Sequence, residues 1–197
     1  MFTGIIETTG LVKRIERKGS NYSFWIESVL LSSLKVDQSL SHNGVCLTIE
    51  ELNDNLHKVT AIDETLAKTN LGQLEIGSIV NLERCMQLNG RLDGHMVQGH
   101  VDAIAICMAL SEKDGSWEYS FEFDEKFAGL TIEKGSITLN GISLTIFNIT
   151  KTRFTVAIIP YTYEHTNICT VKIGSVVNLE FDMIGKYVKG FLELKNN

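Results

Sequence analysis

The chain has 197 residues, a formal net charge of −6, 44% hydrophobic residues and a single proline. This composition is typical of a folded globular protein, and the acidic balance provides no basic face for nucleic acid. No stretch approaches about 18 apolar residues, and no basic segment precedes a long apolar run at the N-terminus. We therefore predict neither a membrane span nor a signal peptide, and we expect the protein in the cytoplasm.

Short runs in which apolar and polar residues alternate occur along most of the chain and predict β-strands. Clear examples are residues 22–26, 119–123, 154–158 and 177–181. Turns rich in glycine and asparagine separate the runs, as at Asn43-Gly44 and Asn140-Gly141. Many short strands with such turns in about 90 residues predict a small closed barrel.

Helical segments are few and short. One or two turns fit residues 29–34 and 125–130, and another short helix fits each of residues 64–71 and 161–168. We expect Thr65 and Thr162 to open the latter pair, where free backbone N–H groups cap locally or bind a polar ligand. Pro160 is expected to end the strand before it.

The end of the chain shows a different pattern. Tyr187, Phe191 and Leu194 follow i, i+4, i+7 spacing and predict a short amphipathic helix. Because both barrels already have their strands, we expect this helix to serve packing or oligomerisation.

Residues 43–86 are repeated in residues 140–183 without a gap, with 18 identities in 44 positions. A period near 97 is too long for a solenoid repeat of about 20–50 residues and indicates a duplicated domain. We therefore predict barrels at residues 1–96 and 97–184, followed by a helix or tail at residues 185–197. The polar, glycine-rich stretch 88–95 is the predicted junction.

The repeated motif Asn-Gly-x-Cys/Ser-Leu-Thr places Cys46 beside Thr48 and Ser143 beside Thr145 on one strand face, because side chains at i and i+2 point the same way. Small polar residues after a turn usually satisfy local backbone groups. Their recurrence in both halves favours a functional role.

The histidines and cysteines do not have the spacing of a metal site. No two of the four cysteines lie at C-x-x-C spacing, which argues against a disulfide framework and against zinc. The residues alone favour a structural or exposed role for both His95 and His100, which flank the start of the second repeat. No phosphate-binding glycine motif is present.

Together these motifs resemble the riboflavin synthase family, whose members carry two lumazine-binding repeats. The resemblance rests, in chain order, on MFTGIIE (1–7), NGVCLT (43–48), ETL (64–66), VNLER (80–84), GHMVQGHVD (94–102), GISLT (141–145) and IPYT (159–162). The family usually has aspartate before the glycine of the second NG-type motif, whereas this chain has Asn140, which cannot act as a base.

The resemblance implies two six-stranded antiparallel closed barrels of Greek-key type, mainly β, and a C-terminal helix that helps to build a homotrimer. It implies that two molecules of 6,7-dimethyl-8-ribityllumazine dismutate, giving riboflavin and 5-amino-6-ribitylamino-uracil. The resemblance implies no metal or organic cofactor. It does imply an association with lumazine synthase. The working site would lie between the N-terminal barrel of one subunit and the C-terminal barrel of its neighbour.

The resemblance also implies the site residues. The expected N-terminal pocket comprises Gly4, Ile5, Ile6, Ser39, Cys46, Leu47, Thr48, Thr60, Ala61, Ile62, Asp63, Glu64 and Thr65. The expected C-terminal pocket comprises Gly99, His100, Val101, Lys134, Ser143, Leu144, Thr145, Ile158, Ile159, Pro160, Tyr161 and Thr162. The candidate catalytic residues are His100, Ser143, Thr145, Cys46, Ser39 and Lys134, with His100 expected to act together with Ser143 and Thr145.

Two other classes of protein share features with this chain. Fluorescent lumazine- or flavin-binding proteins have the same fold without turnover, but they are expected to lose the polar pair in one copy. Reductase-class flavoprotein barrels require a nicotinamide domain, for which 197 residues leave no room.

Overall fold

The alternating runs form the strands of two separate barrels. The computed structural model describes residues 1–195, and each half closes into a six-stranded antiparallel barrel, which confirms the predicted fold class. The N-terminal barrel consists of β1 (Thr8–Lys18), β2 (Asn21–Glu27), β3 (Ser39–His42), β4 (Val45–Asn53), β5 (Leu56–Ala61) and β6 (Ile79–Arg84).

The C-terminal barrel repeats this arrangement strand for strand. It consists of β7 (Ala103–Lys113), β8 (Ser116–Glu122), β9 (Ser136–Leu139), β10 (Ile142–Phe147), β11 (Arg153–Ile158) and β12 (Val176–Phe181). The order around the first barrel is β1-β2-β5-β4-β3-β6, and the second barrel has the equivalent order. The duplication in the sequence is therefore a duplication of topology.

The short helices lie where the sequence predicts them. They are α1 (Asp63–Lys68), α2 (Pro160–His165) and α3 (Met183–Lys195), with 3₁₀ turns at Leu31–Ser33, Asn70–Gln73, Glu125–Leu130 and Asn167–Thr170. Three details differ from prediction. Thr65 and Thr162 are the third residues of their helices, and Pro160 begins α2 instead of ending β11, as suits a ring that cannot donate a backbone N–H.

The helix α3 begins two residues earlier than predicted and leaves its apolar face exposed. The helix is described as far as Lys195, and residues 196–197 of the predicted helix or tail lie outside the described residues. The Lys186 ammonium lies 2.8 Å from the Asp102 carboxylate, which ties α3 to the chain just before β7. None of the helices in residues 1–195 is long and apolar enough to cross a membrane.

The two barrels have cores of different chemistry. The C-terminal core is rich in aromatic side chains, with Tyr119, Phe121 and Phe154 fully buried. The N-terminal barrel instead buries two histidines, His42 and His57, whose Nε2 atoms lie 2.9 Å apart. At the positions 97 residues further on, the C-terminal barrel has leucine and phenylalanine.

Six buried asparagines hold the barrels together across a pseudo-two-fold axis. They form three equivalent pairs from the two repeats, namely Asn43 and Asn140, Asn70 and Asn167, and Asn81 and Asn178. Asn70 Nδ2 donates to Asn140 Oδ1 at 3.1 Å, and the equivalent Asn167 Nδ2 donates to Asn43 Oδ1 at 2.9 Å. The network pairs buried polar groups of the two barrels and so fixes their relative orientation, while Asn70 Oδ1 has no partner among the described residues.

Candidate functional site: two pockets assembled from exchanged segments

The two Asn-Gly turns meet at the pseudo-two-fold axis. A Cβ at Gly44 would lie 2.7 Å from the backbone nitrogen of Gly141, so the contact is open only to glycine. Asn43 and Asn140 precede these glycines with φ of +48° and +45°, a conformation that asparagine adopts more readily than most residues. The turn therefore places both polar motifs close to the junction of the barrels.

Each motif is covered by a segment that precedes the opposite barrel. The backbone N–H of Ser143 donates to the carbonyl of Gly4 at 2.8 Å, and the N–H of Cys46 donates to the carbonyl of Gly99 at 2.9 Å. Ile6 packs against the C-terminal core and Val101 against the N-terminal core. The segments before β1 and β7 have thus exchanged barrels.

This exchange corrects the expected grouping of the site residues. Gly4, Ile5 and Ile6 were expected with Cys46, but the segment lies against the Ser143 motif. Gly99, His100 and Val101 were expected with Ser143, but they line the pocket of Cys46. The expected grouping is wrong because it assumes that each repeat folds only upon itself.

The N-terminal pocket is an open cavity of about 280 Å³ beside α1. Its lining comprises Val45, Cys46, Glu64, Thr65, Lys68, Thr69, Gly99, His100 and Val101. Burial raises the pKa of the half-buried Cys46 thiol, and the neighbouring Ser39 hydroxyl opposes that shift. Cys46 is therefore a protonated thiol at neutral pH, suited to hydrogen bonding and proton exchange.

The Ser143 motif has a histidine of its own. His95 Nδ1 lies 2.6 Å from Ser143 Oγ, and His95 Nε2 lies 3.1 Å from Thr138 Oγ1. Burial lowers the pKa of His95, which keeps the ring neutral near pH 7. If Nε2–H donates to Thr138, then Nδ1 is free to accept the proton of Ser143.

The two small helices carry different side chains at equivalent positions. On α1, the Lys68 ammonium lies 2.6 Å from the Glu64 carboxylate. The equivalent residues of α2 are Tyr161 and His165, whose rings stack with centroids 4.1 Å apart. The α1 helix therefore presents an ion pair at the Cys46 pocket, and α2 presents an aromatic surface at the equivalent position.

The remaining predicted residues are either fully or partly buried, or exposed. Leu47, Ala61 and Ile158 lie in the barrel cores, Leu144 packs against the C-terminal core, and a hydrogen bond joins Thr60 to Ser23. The exposed group comprises Thr48, Ile62, Asp63, Lys134, Thr145, Ile159 and Pro160. Among these, the Lys134 ammonium lies over the Phe147 ring, 5.1 Å from its centroid.

Three residues of these sites have contacts that the sequence does not predict. His95 is not predicted as a partner of Ser143, and the buried Glu83 and Glu180 are not predicted to contact the exchanged segments. Both carboxylates belong to the repeated Val-Asn-Leu-Glu motif, and that recurrence of a charged residue is a signal that could have identified them. Residues 1–195 contain no group of three or more His, Cys, Asp or Glu side chains arranged to hold a metal ion.

Comparison with known proteins covers both halves of the chain. The lumazine binding domain family matches residues 3–85 and again residues 98–182. Riboflavin synthase of Bacillus subtilis (strain 168) is 41% identical over 197 residues, which is 100% of this chain and 92% of the relative. Riboflavin synthase of Escherichia coli (strain K12) is 35% identical over 185 residues, covering 92% of this chain and 87% of the relative.

A solved structure with the same fold is that of LumP complexed with 6,7-dimethyl-8-(1'-D-ribityl) lumazine. It superposes with a TM-score of 0.84 at 22% identity and covers 92% of this chain and 99% of the other. LumP complexed with riboflavin superposes with a TM-score of 0.86 at 23% identity.

Proposed function

The chain belongs to the riboflavin synthase family of proteins with two lumazine-binding domains, and we propose how its own residues carry out that function. The reaction is the dismutation of two molecules of 6,7-dimethyl-8-ribityllumazine. One molecule transfers a four-carbon unit to the other, so the enzyme is a transferase. The products are riboflavin and 5-amino-6-ribitylamino-uracil, and the reaction takes place in the cytoplasm.

The observation that carries the proposal is the recurrence of one polar motif at equivalent positions in both barrels, covered in each by an exchanged segment. Two identical substrate molecules need two related binding surfaces, which a duplicated barrel provides. Positioning two reactants against each other supplies effective molarities of about 10⁵–10⁸ M, or about 7–11 kcal/mol of the barrier. LumP, which shares this fold, binds the lumazine and riboflavin in its complexes, which supports ligands of this class.

The two motifs are equivalent in position and differ in their proton-transfer groups. We assign Ser143 and His95 as the proton-handling pair of the C-terminal pocket, because Oγ and Nδ1 lie 2.6 Å apart. We assign Cys46 and His100 to the N-terminal pocket, where both line the cavity. Such groups contribute about 10²–10⁴-fold, which suffices for a substrate that is electrophilic and has an acidic methyl group.

The exposed face of α3 supports assembly into the homotrimer that brings the two kinds of pocket together. Its exposed apolar side chains are Ile184, Tyr187, Val188, Phe191, Leu192 and Leu194. An apolar helix face of this extent is unusual on a protein that stays monomeric. We therefore assign the trimer contact to α3, and association with lumazine synthase would use other surfaces.

The oligomer is tested by light scattering with size-exclusion chromatography. Phe191→Glu should convert trimer to monomer, while Asp114→Lys in the exposed β7–β8 turn should remain trimeric. A wild-type chain that runs as a monomer at micromolar concentration would exclude this arrangement.

The reaction is tested by adding 6,7-dimethyl-8-ribityllumazine alone to the purified protein and measuring riboflavin. The chain should make many riboflavin molecules per subunit. Ser143→Ala, Thr145→Ala, His100→Gln and Cys46→Ser should then be assayed. If none of these lowers turnover by about tenfold, the residue assignment is wrong.

The second candidate function is binding of lumazine or flavin without turnover, which the similarity to LumP favours. It predicts stoichiometric binding with no riboflavin formed. This chain has a polar pair in both motifs, Cys46 with Thr48 and Ser143 with Thr145, which favours catalysis.

A further inference from the structure

Two buried carboxylates occupy equivalent positions in the barrels. Glu83 lies near the end of β6 and Glu180 near the end of β12, and they are only 4% and 2% exposed. Neither forms an ion pair within residues 1–195 as the structure describes them. A buried carboxylate needs several hydrogen-bond donors, so the donors that these two attract are informative.

All of those donors come from the exchanged segments. Glu83 accepts hydrogen bonds from the Thr3 N–H at 2.6 Å, the Thr3 hydroxyl at 2.7 Å and the Gly4 N–H at 3.0 Å. Glu180 accepts from the N–H groups of Gln98, Gly99 and His100 at 2.7, 2.9 and 3.0 Å. A carboxylate suits this task because it offers about four acceptor sites and no donor.

The same segments continue directly to the motifs of the opposite barrel. Gly4 accepts from the Ser143 N–H, and Gly99 accepts from the Cys46 N–H. The packing is tight, since a Cβ at Gly99 would lie 2.6 Å from the Cβ of Cys46. Each carboxylate is therefore connected through one exchanged segment to the polar motif of the other barrel.

We propose that Glu83 and Glu180 are positioning residues that act in a crossed manner: Glu83 of the N-terminal barrel sets the Ser143 pocket, and Glu180 of the C-terminal barrel sets the Cys46 pocket. The catalytic consequence rests on the function proposed above. The structural claim does not, because it concerns only which motif each carboxylate holds covered.

The structural claim is tested by alkylation of the folded protein with iodoacetamide, followed by mass spectrometry that resolves the rate at each cysteine. Glu180→Ala removes the acceptor of three hydrogen bonds and should release the 98–100 segment. Alkylation of Cys46 should increase by at least about tenfold, the effect of losing even one charge-assisted hydrogen bond. Glu180→Gln, which retains one acceptor oxygen and the side-chain volume, should give an intermediate rate. The exposed Cys169 serves as the internal reference in the same molecule.

The matched control is the equivalent carboxylate. Glu83→Ala and Glu83→Gln should leave the rate at Cys46, relative to Cys169, unchanged. Equal acceleration by the Glu83 and Glu180 variants would indicate general loosening and overturn the proposal. No acceleration in either Glu180 variant would overturn it as well.

Activity provides the second, independent measurement. The loss of kcat/KM caused by Glu83→Gln should shrink in a Ser143→Ala background and stay unchanged in a Cys46→Ser background, with the reverse for Glu180→Gln. A merely structural role would not give this crossed pattern, so additivity in all four combinations contradicts the proposal. If the wild-type chain makes no riboflavin, the proposed function fails, while alkylation still decides the positioning claim.

Discussion

His95 Nδ1 lies 2.6 Å from Ser143 Oγ, although 48 residues separate them and the sequence points to His100 instead. His95 is held by its backbone N–H, which donates to the carbonyl of Thr3 at 3.1 Å. His100 donates its backbone N–H to Glu180 at 3.0 Å and lines the Cys46 pocket. The two histidines of one motif therefore serve different pockets.

Ser143→Ala and His95→Gln should affect turnover as one unit. We expect each to lower kcat/KM by about 10²-fold, because each removes the same proton transfer, and the double variant should lose little more than either alone. Steady-state assays of riboflavin formation measure the three variants against the wild type.

The matched comparison uses His100→Gln. Because His100 lies in the other pocket, its loss should multiply with that of Ser143→Ala. A multiplicative effect of His95→Gln and Ser143→Ala would contradict the pairing of these two residues.

Asn140 should matter for stability and not for chemistry. Its Oδ1 accepts from the Asn178 N–H at 2.8 Å and from Asn70 Nδ2 at 3.1 Å. Asn140→Ala leaves two buried donors unpaired and should cost about 2–4 kcal/mol of unfolding free energy. Asn140→Asp retains both acceptor sites and should keep most of that stability, as urea unfolding would show.

The control for Asn140 is Asn148, which has a similar φ of +51° but is exposed. Asn148→Ala loses only the preference of asparagine for the left-handed backbone conformation. It should lower the unfolding free energy by about 1 kcal/mol. Equal losses for the two alanine variants would mean that the asparagine network contributes little.

The close approach of Gly44 to Gly141 makes a similar matched pair possible. Gly44→Ala adds a Cβ against the opposite turn and should cost about 2–5 kcal/mol, the sum of overpacking and left-handed strain. Gly19→Ala has φ of +61° but open space, so about 1–2 kcal/mol is expected. Thermal and urea unfolding measure both variants. Equal losses of unfolding free energy for Gly44→Ala and Gly19→Ala would show that the two Asn-Gly turns can move apart.

Much of the fold could be predicted from the sequence because its signals are local. The alternation of apolar and polar residues predicts the strands, and the Asn-Gly pairs predict the turns. The internal repeat predicts two barrels of one topology. The same local signals place Cys46 and Ser143 at equivalent positions, and the structure preserves that equivalence.

The exchange of segments could not be predicted in this way. Gly4 and Gly99 occupy equivalent positions, so either could cover either motif without a change in the local pattern. The choice depends on long-range contacts, such as that between Glu83 and Thr3, 80 residues apart. Asn140 likewise gains its contact with Asn70 only when the N-terminal barrel packs beside it.

The buried histidine pair of the N-terminal barrel should make stability depend on pH. His42 Nδ1 lies 3.1 Å from the carbonyl of Leu40, which assigns the proton to Nδ1 and leaves Nε2 to accept from His57 Nε2–H. His57 Nδ1 has no partner in the described residues. Burial lowers the pKa of His42 well below its ordinary value and that of His57 to about 4.

Because the folded pKa values lie below the ordinary 6.5, the unfolded chain binds more protons between about pH 4 and 6.5, and stability falls as pH falls through that window. The loss attributable to His57 should reach about 3 kcal/mol near pH 4. His42→Leu with His57→Phe copies the equivalent Leu139 and Phe154 and removes both rings, so no single nitrogen is left unpaired. Urea unfolding at several pH values should show a flatter profile for this double variant, and a slope equal to that of the wild type would show that other groups dominate the acid sensitivity.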